Sequence, residues 1–273
     1  MCEPNASAKS SLNTRTLSEN GKTLVAVTTC SRPDLVRHYL PKLISVTASL
    51  KQVDLLLGID GLSSPGNCES LEFAQSVGVP CVVSEHPEGV GISKNRIVSL
   101  LGGYDVYFFL EDDVEVISDG LFRDHIQYCQ LTGYHHFSLH QPGRLVDELE
   151  PTRVEGWGVV RHAMYGSAQV NFFSRYALSK VGGWHQSFAA LRRGGHTEHS
   201  YRIFRAQLAP APFNLIESLI DECIWRDPPA VVHHRINGHT IADNQLYELE
   251  NKLIADEIDY APFSAQYQGQ IIF

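Results

Sequence analysis

The 273-residue chain is short of several things, and each shortage removes a class of protein. No apolar run approaches the ~18 residues of a membrane span, so no bilayer-crossing helix is expected. Basic residues are in deficit: 22 Lys and Arg against 31 Asp and Glu give a net charge of −9. A nucleic-acid-binding face normally shows as a basic excess, so nucleic acid is not expected as a partner. The six cysteines (Cys2, Cys30, Cys68, Cys81, Cys129 and Cys223) form no CxxC pair and no zinc spacing. Reduced thiols in a cytoplasmic protein follow, with a peripheral membrane contact left open. Residues 1–22 lack the apolar segment of a signal peptide and read as a flexible leader. Hydrophobic residues reach 43% and charged ones only 19%, which excludes disorder for the bulk of the chain.

What is present is an alternation of strand and helix signals. Thr23–Thr29 is a short apolar run, as a buried strand requires. Ser31 and Pro33 then open a helix as cap and first-turn residue, and Pro41 is expected to kink or split it. Val53–Ile59 is a second strand ending at Asp60-Gly61, and Leu71–Val77 is helical. Pro80–Ser84 is a third strand, Ile92–Leu101 a helix after Gly89 and Gly91, and Asp105–Leu110 a fourth strand. This series predicts an α/β fold with a mostly parallel sheet covered by helices. Ligands bind such sheets outside the carboxyl ends of the strands. Thr28–Arg32, Asp60 and Glu111–Asp113 all stand at such ends and are expected to meet on one edge.

The second half is less regular. Leu121–Leu131, Arg175–Val181, Glu198–Gln207 and Asn244–Ala255 read as helices. Val154–Met164, Ala168–Phe173 and Ala230–His233 read as strands, the first two in a smaller mixed sheet, and Leu191–Gly195 as a mobile loop. The apolar terminus Ile271-Ile272-Phe273 is expected to pack on the core or on another subunit. A single domain over 23–273 is expected, with halves at 23–115 and 116–273.

Phe108-Phe109-Leu110-Glu111-Asp112-Asp113 sets an apolar strand against three carboxylates. Like charges this close repel, and a divalent cation is the economical compensation. Hard oxygen ligands suit Mg2+ or Mn2+, which also bridge phosphate oxygens.

Six segments, in order, resemble a GT-A fold glycosyltransferase, most like the inverting family 2 type. They are Val27–Pro33, Gly58–Gly61, Gly91–Arg96, Phe109–Asp113, Val181–Phe188 and His196–Arg202. In the register of the metal motif the first acid is Glu111 where the family keeps Asp. The resemblance implies a Rossmann-like sheet, a nucleotide-sugar donor (UDP-linked), a divalent cation and a hydroxyl acceptor such as a carbohydrate. It implies that Thr28, Thr29, Ser31 and Arg32 bind ribose and phosphate. Asp60 would meet the base, Lys94 and Asn95 the phosphate or base, and Asp112 ribose or sugar hydroxyls. Glu111 and Asp113 would hold the metal, joined by His233 or His234. Glu198 would be the general base, flanked by His196 and His199. Trp184 would stack on a sugar, and Arg192-Arg193 would cover the diphosphate. Bland alternatives stand beside these: a cap for Ser31, a turn for Asp60, an interior ring for Trp184, a helix-start residue for Glu198. A sugar-phosphate nucleotidyltransferase and a catalytically silent binding relative are the other functions weighed.

Overall fold

The computed structural model describes residues 21–191, 194–225, 248–249, 251–252 and 270–273. Strands β1 (Thr23–Thr29), β2 (Val53–Ile59), β3 (Cys81–Val83) and β4 (Val106–Glu111) run parallel. They are linked by helices α1 (Pro33–Thr47), α2 (Asn67–Ser76) and α3 (Val90–Leu100). Side chains alternate across each strand. Leu24, Ala26, Tyr107 and Phe109 therefore face one layer, with Ile97 of α3, while Val25, Phe108 and Leu110 face the other.

After β4 come β5 (Val114–Val116), α4 (Gly120–Thr132), β6 (His136–Leu139), β7 (Val146–Val154) and β8 (Gly158–Tyr165). Next are β9 (Val170–Ser174), α5 (Arg175–Val181), α6 (Gln186–Leu191), α7 (Gly195–Arg205), β10 (Phe213–Ile216), β11 (Cys223–Trp225) and β12 (Gln270–Ile272). The main sheet has the order β12-β3-β2-β1-β4-β9-β6. From β1 the chain winds outward through β2 to β3, then returns across β1 to β4. The reversal lies between β1 and β4, the place where sheets of this kind form a ligand crevice beyond the strands' carboxyl ends.

Several expectations are corrected. Pro41 does not split α1, which is continuous over Pro33–Thr47. An interior proline costs a helix about 3 kcal/mol. The buried face of Val36, Tyr39, Leu40 and Leu43 offsets this, each such side chain contributing roughly 1.5–3 kcal/mol on burial. Ser31 is not a helix cap: the N-cap residue is Arg32, with no side-chain cap bond, and Ser31 has a left-handed φ of 58°. The stretch read as one strand from Val154 is the end of β7, a turn with Gly156 and Gly158 at positive φ, and then β8. The smaller sheet, β10-β8-β7, is antiparallel, whereas β9 joins the main sheet against β4. Of the expected loop at Leu191–Gly195, Leu191 ends α6 and Gly195 begins α7, while 192–193 lie outside the described residues. Ile271 and Ile272, by contrast, do pack on the core as expected, as strand β12 on the edge of β3. The strand expected at Ala230–His233 lies outside the described residues, as does most of the helix at Asn244–Ala255. Among the described residues no helix is long and apolar enough to cross a membrane.

Candidate functional site

The parallel register sets Thr28 of β1 beside Glu111 of β4. The next residues of each strand run off the sheet into the crevice, and their side chains meet there. Thr29 Oγ1 donates to Asp112 Oδ2 at 2.5 Å, and Arg32 Nη1 donates to Asp112 Oδ1 at 2.6 Å. The same Arg32 nitrogen lies 3.7 Å from Asp113 Oδ2. Thr28 is buried and its hydroxyl turns to Leu110 O at 3.4 Å. The expected meeting of Thr28–Arg32 with Glu111–Asp113 is thus realised.

Three adjacent carboxylates in a poorly solvated crevice cannot all ionise freely. Burial lifts Asp112 to about 6, against the opposing pull of Arg32 and Thr29. Burial, then repulsion from Glu111 and Asp112, lifts Asp113 to about 7. Glu111 goes the other way. Burial would raise it, but the His196 bond and the positive charges of Lys94 and Arg32 together hold it below the usual range. Asp113 Oδ1 is buried with no hydrogen-bond partner among the described residues.

A second group of side chains also acts on Glu111. Lys94, the fifth residue of α3, is fully buried, and its Nζ has no hydrogen-bond partner among the described residues. Nζ lies 5.4 Å from the Trp184 ring centroid and 5.8 Å from that of Phe109. Burial lowers the Lys94 ammonium to about 8, with Glu111 opposing the shift. His196, in the first turn of α7, bonds Glu111 Oε1 through Nε2 at 3.1 Å, while its Nδ1 has no partner among the described residues. Burial and then Lys94 push His196 below the usual histidine range. In its neutral form the ring would face the carboxylate with a proton on Nε2 and keep a lone pair on Nδ1.

Other expected site residues are committed to the scaffold. Asp60 accepts the backbone N–H groups of Glu88 and Gly89, both at 2.8 Å, one on each oxygen. Its neighbour Gly61 has φ +84°, and a Cβ there would lie 2.3 Å from Pro87 N, so only glycine fits. Asn95 accepts from Trp184 N at 2.8 Å and donates to Trp184 O at 2.7 Å. Trp184 itself is 3% exposed, its ring packed against Phe109, Phe173 and His199. This corrects its assignment as a sugar-stacking surface: the ring is core.

Glu198, expected as the general base, is fully buried, with both oxygens on Arg202 at 2.5 and 2.7 Å. Arg202 also donates to Val181 O and Gly183 O, at 2.5 and 2.6 Å. His199 bonds Gly182 O through Nε2 at 3.0 Å. Three motifs read separately in the sequence therefore form one network: the start of α3, the Gly182-Gly183-Trp184 turn and the start of α7.

Sequence reasoning missed Asn67. Buried at the start of α2, it accepts the N–H of Ser31 at 2.6 Å and donates to Asp60 O and Gly61 O at 3.1 and 2.7 Å. One side chain thus fixes both the β1–α1 turn and the end of β2. Its only sequence signal was a place in a turn-rich segment.

The acidic cluster fits a hard divalent cation in part. Glu111 and Asp113 supply oxygen donors, one with a buried and unpartnered atom, but Asp112 is already saturated by Thr29 and Arg32. Among the described residues no three His, Cys, Asp or Glu side chains group to hold a metal. His233, His234, Arg192 and Arg193 lie outside the described residues.

No protein-family model and no curated protein matches the sequence. Solved structures do match. One is a mannosyltransferase, PcManGT, from Pyrobaculum calidifontis, in complex with GDP-Man and Mn2+. It is 12% identical, with a TM-score of 0.63 over 90% of this chain and 67% of that one. Another is TarS of S. aureus, residues 1–349, in complex with UDP-GlcNAc, 12% identical with a TM-score of 0.51. This chain covers 52% of that one, using 66% of its own length. At such identity the likeness concerns the chain trace and leaves the site chemistry to be argued from the residues. The chain has the GT-A fold, the architecture it shares with these two structures.

Proposed function

We propose that this protein transfers a sugar from a nucleotide-sugar to an acceptor hydroxyl, with Mn2+ or Mg2+ held by Glu111 and Asp113. The observation that carries this reading is the carboxylate cluster at the β1/β4 reversal, with cationic side chains against it and a buried, unpartnered oxygen on Asp113. Residues 23–115 form the nucleotide-binding half and 116–273 the acceptor half, in a cytoplasmic enzyme. A third metal ligand would come from His233 or His234. When bound, the cation neutralises charge building on the leaving diphosphate. Lys94 and Arg32 add fixed positive charge on either side of that place. A UDP-linked donor is the first choice, and the GDP-Man complex of PcManGT puts GDP-sugars beside it.

Inversion requires a proton acceptor on the face opposite the leaving group. Two residues of the first turn of α7 compete for this role. Glu198 matches the family's acidic helix start, but both its oxygens are spent on Arg202. His196 is partly exposed, is oriented by Glu111 and keeps Nδ1 without a partner among the described residues. His196 is thus a second candidate for the base, with Glu198 then positioning the turn beneath it.

A panel of UDP- and GDP-sugars with Mn2+, with and without EDTA, tests the central reading. Metal-dependent transfer or hydrolysis of at least one donor is expected. Binding without turnover would indicate a silent relative. Pyrophosphate release from a nucleoside triphosphate and a sugar phosphate would indicate nucleotidyl transfer. For the base, His196→Gln is expected to lose at least ~100-fold in kcat with nucleotide binding retained. Loss of transfer in Glu198→Gln at unchanged Tm, beside near-normal His196→Gln, would return the role to Glu198.

A further inference from the structure

Arg32 is placed with unusual determination for a residue in a turn. Ser31 before it is held at φ 58° by the bond from its N–H to Asn67 Oδ1. Arg32 is the N-cap residue of α1, and its carbonyl accepts from Val36 N at 3.2 Å. The backbone thus aims the guanidinium at the carboxylates, where Nη1 bonds Asp112 at 2.6 Å and approaches Asp113 Oδ2 at 3.7 Å. Asp113 is nine-tenths buried and offers its second oxygen, Oδ1, to no other side chain among the described residues. Arg32 therefore stands in the place from which a divalent cation would be balanced by the same acid.

We infer that Arg32 is an internal counter-cation that competes with the metal for Asp113 and gives way when a nucleotide diphosphate supplies its guanidinium with a new anionic partner. This rests on the proposed metal- and nucleotide-sugar-binding reading and deepens it. Two like charges cannot share one buried carboxylate without cost, so the metal must displace or weaken the Arg32–Asp113 contact. Guanidinium binds phosphate oxygens through two parallel N–H bonds, so a diphosphate replaces the 3.7 Å contact to Asp113 while the 2.6 Å bond to Asp112 can remain. Metal and nucleotide are then coupled through one side chain, and each raises the affinity for the other by the same factor. Metal alone binds poorly, which protects the crevice from filling without donor.

The test is Mn2+ binding, read as loss of the free-ion EPR signal, on the full chain at pH 8, with no turnover required. In wild type, Mn2+ alone should bind about tenfold more weakly than in Arg32→Gln, within the range usual for a coupling between sites. UDP or GDP should tighten Mn2+ strongly in wild type and much less in Arg32→Gln. Arg32→Lys keeps the charge without the planar fork and should fall between the two. Thermal unfolding checks that both variants are folded; if Arg32→Gln is not, the Arg32→Lys comparison alone decides by the same ordering. Equal or weaker binding of Mn2+ alone in the variants overturns the inference. If no form binds Mn2+ with or without nucleotide, the metal-dependent reading falls together with it. If the Mn2+ ordering holds but no nucleotide-sugar is turned over, the proposed function fails and the Arg32 competition stands.

Discussion

Two sets of polar side chains line the same edge of the main sheet, and the fold uses them differently. Asp60, Asn67, Asn95 and Glu198 have their polar atoms bonded to backbone groups or to Arg202. Lys94, Asp113 and His196 are also buried or half-buried, yet each keeps an atom without a partner among the described residues. Burying a polar atom without a partner costs free energy, so a fold keeps such atoms only where something offsets the loss. The first set holds loops in place. The second faces Glu111 and the crevice, and it is where an anion and a cation would be received.

The comparison can be broken by substitution, beginning with the largest effect. Glu198→Ala leaves Arg202 charged and buried, with its bonds to Val181 O and Gly183 O as its remaining named contacts. Removing one partner of a buried pair costs about 3–5 kcal/mol, so denaturant unfolding should show a large loss of stability. A loss below ~1 kcal/mol would place Glu198 with the second set.

Asn67→Ala comes next. It removes three hydrogen bonds at the base of two site loops, each worth about 0.5–1.5 kcal/mol net. A lower unfolding midpoint is expected, together with weaker nucleotide binding, because Ser31 and Arg32 lose their anchor. Undiminished nucleotide affinity in a destabilised variant would show that the anchor serves stability alone.

Lys94→Met should do the reverse. It deletes a buried ammonium with no hydrogen bond to lose among the described residues, so stability should hold or rise by about 1 kcal/mol. Nucleotide binding should fall about tenfold, the size of one charge-assisted contact. A marked drop in Tm would move Lys94 into the scaffold set.

The smallest effect is in pH dependence. Asp112 at about 6 and Asp113 at about 7 lie above the ordinary aspartate value, so between about pH 4 and 7 the folded state holds more protons than the unfolded one. Stability contributed by these protons is present below the unfolded value and is lost as pH rises through the folded values. In EDTA, Tm should therefore be lowered by this pair as pH rises over that window. Asp113→Asn should flatten the trend, and Mn2+ above pH 7 should raise Tm in wild type more than in the variant. An Asp113→Asn profile identical to wild type would remove Asp113 from the strained set.

Much of the fold was legible in the chain. The β1 and β2 boundaries agree with the apolar runs at Thr23–Thr29 and Val53–Ile59, and Arg175–Val181 is the α5 helix. These segments are patterned by burial, which is written locally as period two or three to four. Pro41 misled because its cost is local and the offset is not: the buried face of α1 comes from packing against the sheet. The short strands β6, β10, β11 and β12 were missed because three or four residues carry too little pattern to separate strand from loop. At the site, the cluster Glu111–Asp113 was legible from strand-end position, and its contacts with Thr29 and Arg32 followed from parallel topology. Trp184 was misjudged, and the role of Glu198 left open, for one reason. An aromatic after Gly-Gly and an acid at a helix start look the same in sequence whether they face a ligand or the interior.

The order of strands and helices, the strand ends on which the polar residues fall and the acidic excess were determined by the sequence alone, because they depend on neighbours a few residues away. Which of those polar residues is left for a ligand was decided by the tertiary structure. Thr29 and Asp112 are 83 residues apart, Arg32 and Asp112 80, Asn95 and Trp184 89. Pairings over such distances exist only once the sheet has brought the elements together. The hydrogen bonds they make then settle which side chains are scaffold and which keep an atom for chemistry.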